Sequence, residues 1–136
     1  MRLRVRIFFL FFSQIVIAQN CDIDQIKDLL KNQQYALVYS MAETMKDCDL
    51  SDSDVEWTQY YQAISALELF NDEAQFRLEQ YLENYPLGEY SRQAYIALAK
   101  LHFRNKEYDK VIAKLSNVNV YDLEFHDEAM YYFRLG

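Results

Sequence analysis

A chain of 136 residues has room for one domain, and 51% hydrophobic content with 16% aromatics excludes a disordered polymer. Two Gly and one Pro are too few for the turns of a many-stranded sheet, so strands are disfavoured. The formal net charge of -7 repels phosphate backbones and anionic lipid surfaces, which leaves no nucleic acid partner and favours a basic or neutral protein.

Residues 1–6 (MRLRVR) are cationic, residues 7–18 (IFFLFFSQIVIA) are almost wholly apolar, and Val16-Ile17-Ala18 then offer short side chains. This order predicts a cleavable signal peptide over residues 1–18 and an exported product. As a helix the apolar run reaches only about 18 Å, against roughly 30 Å of bilayer core, so a permanent anchor is disfavoured. Removing Arg2, Arg4 and Arg6 with the signal leaves 11 basic against 21 acidic side chains, a net -10. Cys21 invites a lipoprotein reading, but acylation wants a small residue directly before the Cys, and Asn20 stands there.

Seven amphipathic helices are predicted after the signal, each with apolar residues at three- and four-residue spacing. The first covers 23–31, with Asp22 and Gln25 at capping-box spacing, and the second covers 34–47, with Val38, Met41, Ala42 and Met45 on one face. After the polar stretch DCDLSDSD, Ser53 and Glu56 have the same spacing ahead of a third helix striped by Trp57, Tyr60, Tyr61, Ile64 and Leu67. Asn71-Asp72 ends it. The fourth, over 72–84, carries Ala74, Leu78, Tyr81, Leu82 and Tyr85 and stops before Pro86, with Gly88 in the turn. The fifth, over 91–105, turns Ala94, Tyr95, Leu98 and Leu101 inward, and the sixth, over 107–116, does so with Tyr108, Val111, Ile112 and Leu115. A seventh starts near Leu123.

The stretch LAKLHFRNKEYDKVIAKL, residues 98–115, resembles a tetratricopeptide repeat. Leu98 and Ala99 fill the large-small pair before the tight turn, Tyr108 the aromatic place after it, and Val111 the small position where the family prefers Ala. The pair returns 37 residues later as Leu135-Gly136, against about 34 in the family. Upstream, DEAQFRLEQYLENYP resembles the second half of a repeat, with Ala74 at the small position, Leu78 at the next core position and Pro86 closing it. The resemblance covers residues 54–136; residues 19–53 match only through Tyr35 and Val38 and look like a capping hairpin. The export signal, the YYQAISALELFNDEA segment and the EAMYYFRLG ending together look like exported Bacteroidetes repeat proteins of the periplasm or outer membrane.

The resemblance implies an all-α, right-handed α-solenoid of stacked antiparallel hairpins, with no cofactor and no small-molecule substrate. It also implies that the first helix of each repeat lines a concave groove for a protein or peptide. Carried onto the fifth helix, the groove-facing positions are Gln93, Ile96, Lys100, Phe103 and Arg104; on the third they are Glu56, Gln59 and Ala63. Capture of a chaperone tail is not implied, because the Lys and Asn it needs are replaced by Ile96 and Lys100. Gly136 falls inside a helix, so further repeats beyond it are expected.

Cys21 and Cys48 are the two cysteines and fall at the same end of the first hairpin. They either bridge, which suits an exported domain, or stand as two thiols if unequal helix lengths keep them apart. The run Asp47, Asp49, Asp52 and Asp54 alternates like a calcium loop but lacks the Gly at its sixth place and has Thr58 where a bidentate Glu is required. It reads as a solvated, helix-capping loop. His102 and His126 have no zinc-site spacing around them, and His102 fits a partly buried packing role. No nucleophile motif or Gly-rich phosphate loop is present, so no metal and no catalytic residues are expected. Tyr60-Tyr61, Tyr90/Tyr95 and Tyr131-Tyr132-Phe133 read as core with one exposed member each. The function expected is an exported scaffold or adaptor in cell-envelope assembly; the alternative is a structural spacer ahead of a further domain.

Overall fold

The structure is a computed structural model that describes residues 21–119. It contains α1 (Ile23–Lys31), α2 (Tyr35–Thr44) running into a 3-10 turn (Met45–Asp47), α3 (Asp52–Glu68), α4 (Ala74–Asn84), α5 (Ser91–Arg104) and α6 (Tyr108–Leu115). No strand occurs among the described residues, so the protein is all-helical there. The expected signal peptide, seventh helix, Leu135-Gly136 pair, His126 and Tyr131–Phe133 cluster lie outside the described residues.

Local chemistry sets the helix starts. The Asp22 carboxylate accepts from the amides of Asp24 and Gln25 at 3.1 and 3.2 Å, capping α1 as its spacing predicts. The cap of α3 is Ser51 and not Ser53: Ser51 Oγ accepts from the Asp54 amide at 3.2 Å and donates to the Asp54 carboxylate at 2.7 Å. Ser51 and Asp54 are themselves three apart with an acidic partner, so the earlier pair claims the orphan amides and Ser53 falls inside the helix. The start of α4 also moves, to Ala74, because the Asn71 side chain accepts from the Glu73 amide at 2.9 Å and holds residues 71–73 as a turn. Pro86 ends α4 as expected, with Tyr85 pushed to φ -131° and ψ 67°.

One turn recurs three times. Gln33, Phe70 and Lys106 sit in the left-handed region at φ 54°, 55° and 63°, 37 and then 36 residues apart, at the ends of α1, α3 and α5. At each, the amide of the left-handed residue and the next amide close back onto the helix: Gln33 to Leu30 and Gln34 to Leu29, Phe70 to Leu67 and Asn71 to Ala66, Lys106 to Phe103 and Glu107 to His102. This is the Schellman closure, which satisfies the last carbonyls and reverses the chain. It normally takes Gly, and none of the three positions has it.

The reversals lay consecutive helices against each other. Tyr60, Ala63, Leu78, Tyr81, Leu82, Ala94, Ala97 and Leu98 form the largest core cluster, joining α3, α4 and α5. Small side chains at 63, 94 and 97 let the helices approach, and the Tyr60 ring stacks on Tyr90 with centroids 4.7 Å apart. Ile26, Val38, Ala42 and Met45 make a second cluster in the first hairpin, backed by Trp57 of α3. Of the four residues expected inward on α6, Val111 and Leu115 are buried, whereas Tyr108 and Ile112 are each 44% exposed. The apolar stripe of this eight-residue helix packs on Ala99 and Phe103 of α5, and the i, i+4 pair Val111 and Leu115 takes it.

Alternate helices are linked as well. Lys27 of α1 lies over the Trp57 ring at 5.6 Å and 3.8 Å from the Asp54 carboxylate. Between α2 and α4 runs a polar strap: the Tyr39 hydroxyl donates to Glu73 at 2.7 Å, and Arg77 donates to Glu73 at 2.7 Å, to Tyr39 Oη at 3.1 Å and to Gln62 Oε1 at 3.1 Å. Gln62 in turn donates to Glu43 at 2.6 Å. Lys114 of α6 reaches Glu79 of α4 at 3.4 Å.

Cys21 and Cys48 are joined as a disulfide, their Cα atoms 5.8 Å apart. The α-helical part of the second segment stops at Thr44, ten residues against the nine of α1, and the 3-10 turn over Met45–Asp47 then carries the chain to Cys48, beside the start of α1. That geometry removes the unequal-length objection.

Candidate functional site

The eight residues expected in a groove have separate fates. Glu56 is held inside the fold: its Oε1 accepts from the Tyr81 hydroxyl at 2.7 Å and from the Glu89 amide at 2.7 Å, while Tyr81 Oη accepts from the Tyr90 amide at 3.1 Å. It fastens the α4–α5 turn to the start of α3. Burial pushes the Tyr81 hydroxyl well above its ordinary range, and the hydrogen bond to Glu56 adds to this. Gln59 accepts from the Asn84 amide group at 3.1 Å, and Ala63 is fully buried among α3, α4 and α5. These three therefore turn toward α4. The resemblance fixes only a position along the helix, whereas the aromatic stripe of α3 decides its rotation.

On α5, Ile96 is 8% exposed and packs on Val118, so it is a core residue and not an open contact surface. Gln93 is half-buried, and its side-chain oxygen is buried without a hydrogen-bond partner. Lys100 is exposed; Phe103 is half-buried with its ring 6.2 Å from that of Tyr108. Arg104 is exposed and lays its guanidinium over the Phe70 ring at 4.8 Å. Lys100, Phe103 and Arg104 thus gather at the C-terminal end of α5, next to the α3–α4 turn.

A cleft of about 270 Å³ opens on the other side, between α2, α3 and α4. Met45, Leu50 and Val55 wall it, and Gln59, Gln80 and Asn84 rim it. Arg77 and Gln62 also reach it but are held by the strap between α2 and α4. Nothing in the sequence marks this cleft, because its lining residues come from three helices and the loop between α2 and α3.

His102 is 1% exposed, more deeply placed than expected, with Nδ1 2.7 Å from Glu107 Oε2. Its Nε2 is buried without a partner. Glu107, the residue after the left-handed Lys106, is held below the usual carboxylate range by Lys110 and then by His102. Among the described residues no three His, Cys, Asp or Glu side chains gather as a metal site, and Asp54 of the acidic loop is engaged with Ser51 and Lys27. No described helix is long and apolar enough to cross a membrane.

An unforeseen feature is the aromatic edge itself. Phe70 is 73% exposed and Leu69 42%, both at the end of α3 where the periodic stripe has stopped. Two apolar residues directly before the Asn71-Asp72 break were its only signal in the sequence. Comparison with protein-family models, curated proteins and solved structures returns no match to this chain.

Proposed function

We propose that the protein is an exported helical-repeat scaffold of the tetratricopeptide kind, a right-handed α-solenoid that holds a segment of another protein and carries out no reaction. The recurrence of one closure at Gln33, Phe70 and Lys106, with a 37- and 36-residue period, is the observation that carries this reading. It supports a unit of two helices repeated three times, and such units become stable only by covering one another. Contacts from α1 to α3 and from α2 to α4 fit that arrangement. With residues 1–18 read as an export signal, the proposed site of action is the periplasm or the outer membrane, in cell-envelope assembly.

In this reading α1, α3 and α5 line the groove. Gln93, Lys100, Phe103 and Arg104 form its α5 wall above Ile96, and the half-buried Trp57, Tyr61 and Ile64, spaced four and three residues apart, replace Glu56, Gln59 and Ala63 as its α3 wall. A photo-crosslinking residue placed at Gln93 or Arg104 in the expressing cell should trap one and the same protein, while one at the exposed Glu83 of α4 should not. Equal capture from Glu83, or no capture from either groove position, refutes the assignment.

A further inference from the structure

Phe70 is a residue that folding does not explain. Its backbone sits at φ 55°, where Gly or Asn is preferred and a bulky side chain is strained, and its ring is 73% exposed, so little burial offsets that strain. The equivalent residues of the other two turns, Gln33 and Lys106, are polar. Only the middle turn presents a ring, flanked by Leu69 at 42% exposure. An exposed apolar residue kept at a conformational cost marks a contact surface more readily than a structural one.

The charge around it points the same way. Lys27, Lys31, Lys46, Arg77, Lys110 and Lys114 each lie beside a carboxylate. Arg104 meets the face of Phe70 instead, and neither it nor Lys106 touches a carboxylate among the described residues. Glu73, close by in sequence, is taken up by Tyr39 and Arg77. The ring and two unneutralised cations therefore share the α3–α4 and α5–α6 turn edge of a chain whose net charge is -7. A guanidinium placed over an aromatic face can still offer its edge donors to a carboxylate.

We infer that this edge binds an acidic segment of a partner protein, with one apolar side chain of the segment seated on Phe70 and its carboxylates on Arg104 and Lys106. The inference rests on the reading of the molecule as a protein-binding scaffold and names the kind of segment taken. Apolar anchorage and charge pairing together give both affinity and sign selectivity.

The test uses the full chain and three fluorescein-labelled peptides of equal length: one of Glu and Leu, one with Lys for each Glu, and one with Ser for each Leu. The Glu/Leu peptide should bind in fluorescence anisotropy and the other two at least ~10-fold more weakly, with binding falling as salt rises. Phe70→Gly should raise the melting temperature by relieving the left-handed strain and yet weaken the Glu/Leu peptide at least ~10-fold. Arg104→Glu should abolish binding without changing the far-ultraviolet dichroism. Binding unaltered in both variants, equal binding of the Lys/Leu peptide, or no binding at all overturns the inference. Sedimentation in which the chain self-associates through Phe70 and Arg104 overturns it in favour of a second copy as occupant. If crosslinks from Gln93 still trap a partner while the peptide results are negative, the scaffold reading stands and the acidic-segment inference alone falls.

Discussion

Replacing Gly88 with Ala tests whether the α4–α5 turn is held as described. The glycine does not have a positive φ, so its requirement is one of space. A Cβ there would stand 2.3 Å from Glu56 Oε1, 2.8 Å from Tyr81 Oη and 2.8 Å from Tyr85 Cβ. The carboxylate end can swing aside only by releasing the two hydrogen bonds that it accepts at 2.7 Å, and Tyr85 Cβ is tied to the end of α4. Hydrogen bonds to a charged group are worth about 1.5–3 kcal/mol each, so at the lower end for a half-buried acceptor the loss of both costs about 3 kcal/mol. That is a large part of the roughly 5–15 kcal/mol that keeps a domain folded. Urea unfolding of Gly88→Ala, Glu56→Ala and the double variant measures it. The two single losses should each be about 3 kcal/mol and the double loss should be little larger, because both remove the same contacts. A loss under about 1 kcal/mol for Gly88→Ala, or full additivity, refutes the account.

Reducing the Cys21–Cys48 bridge, which closes 27 residues, should lower stability by about 3.5 kcal/mol in the chain-entropy model; paired thermal melts with and without reductant check it. Lys106→Gly should stabilise by about 0.5–1 kcal/mol, since Lys106 holds φ 63° without a glycine's freedom, and an unchanged urea midpoint contradicts the strain. Burial pushes Tyr60 and Tyr81 above their ordinary value of 10.0 and Tyr90 up to about 12. These raised values mean that the fold prefers the neutral phenols, so their stabilisation is complete below pH 10 and is lost as pH rises above it. Phenolate absorbance and helical dichroism should then change together in an alkaline titration; tyrosines that all ionise near pH 10 in the folded protein contradict this.

The helices were legible because apolar spacing and capping are local. Asp22, Pro86 and the 91–104 stripe each act within one or two turns of chain, and α1, α4's end and α5 fall where their residues say. Ser53 failed as a cap because Ser51 offers the same chemistry earlier, a competition that composition alone does not decide. The disulfide depended on where α2 gives way to a 3-10 turn, at Thr44 and not at residue 47, which no periodicity registers. The groove residues were harder: Glu56 looks like a surface carboxylate until Tyr81 and the Glu89 amide arrive from 25 and 33 residues away. Rotation of a helix about its own axis is set by such distant partners. So is the strap of Tyr39, Glu73 and Arg77, whose members lie up to 38 residues apart.

That strap has a mechanical consequence. Two greasy helix faces can slide or roll past each other with little change in energy, since dispersion forces have no preferred direction. Directional donors and acceptors permit one register, and Arg77 is anchored simultaneously to α2, to α3 and to the turn that precedes its own helix. The angle between the first two hairpins is thereby keyed, like a splined joint, and bending the molecule must concentrate at its other seams.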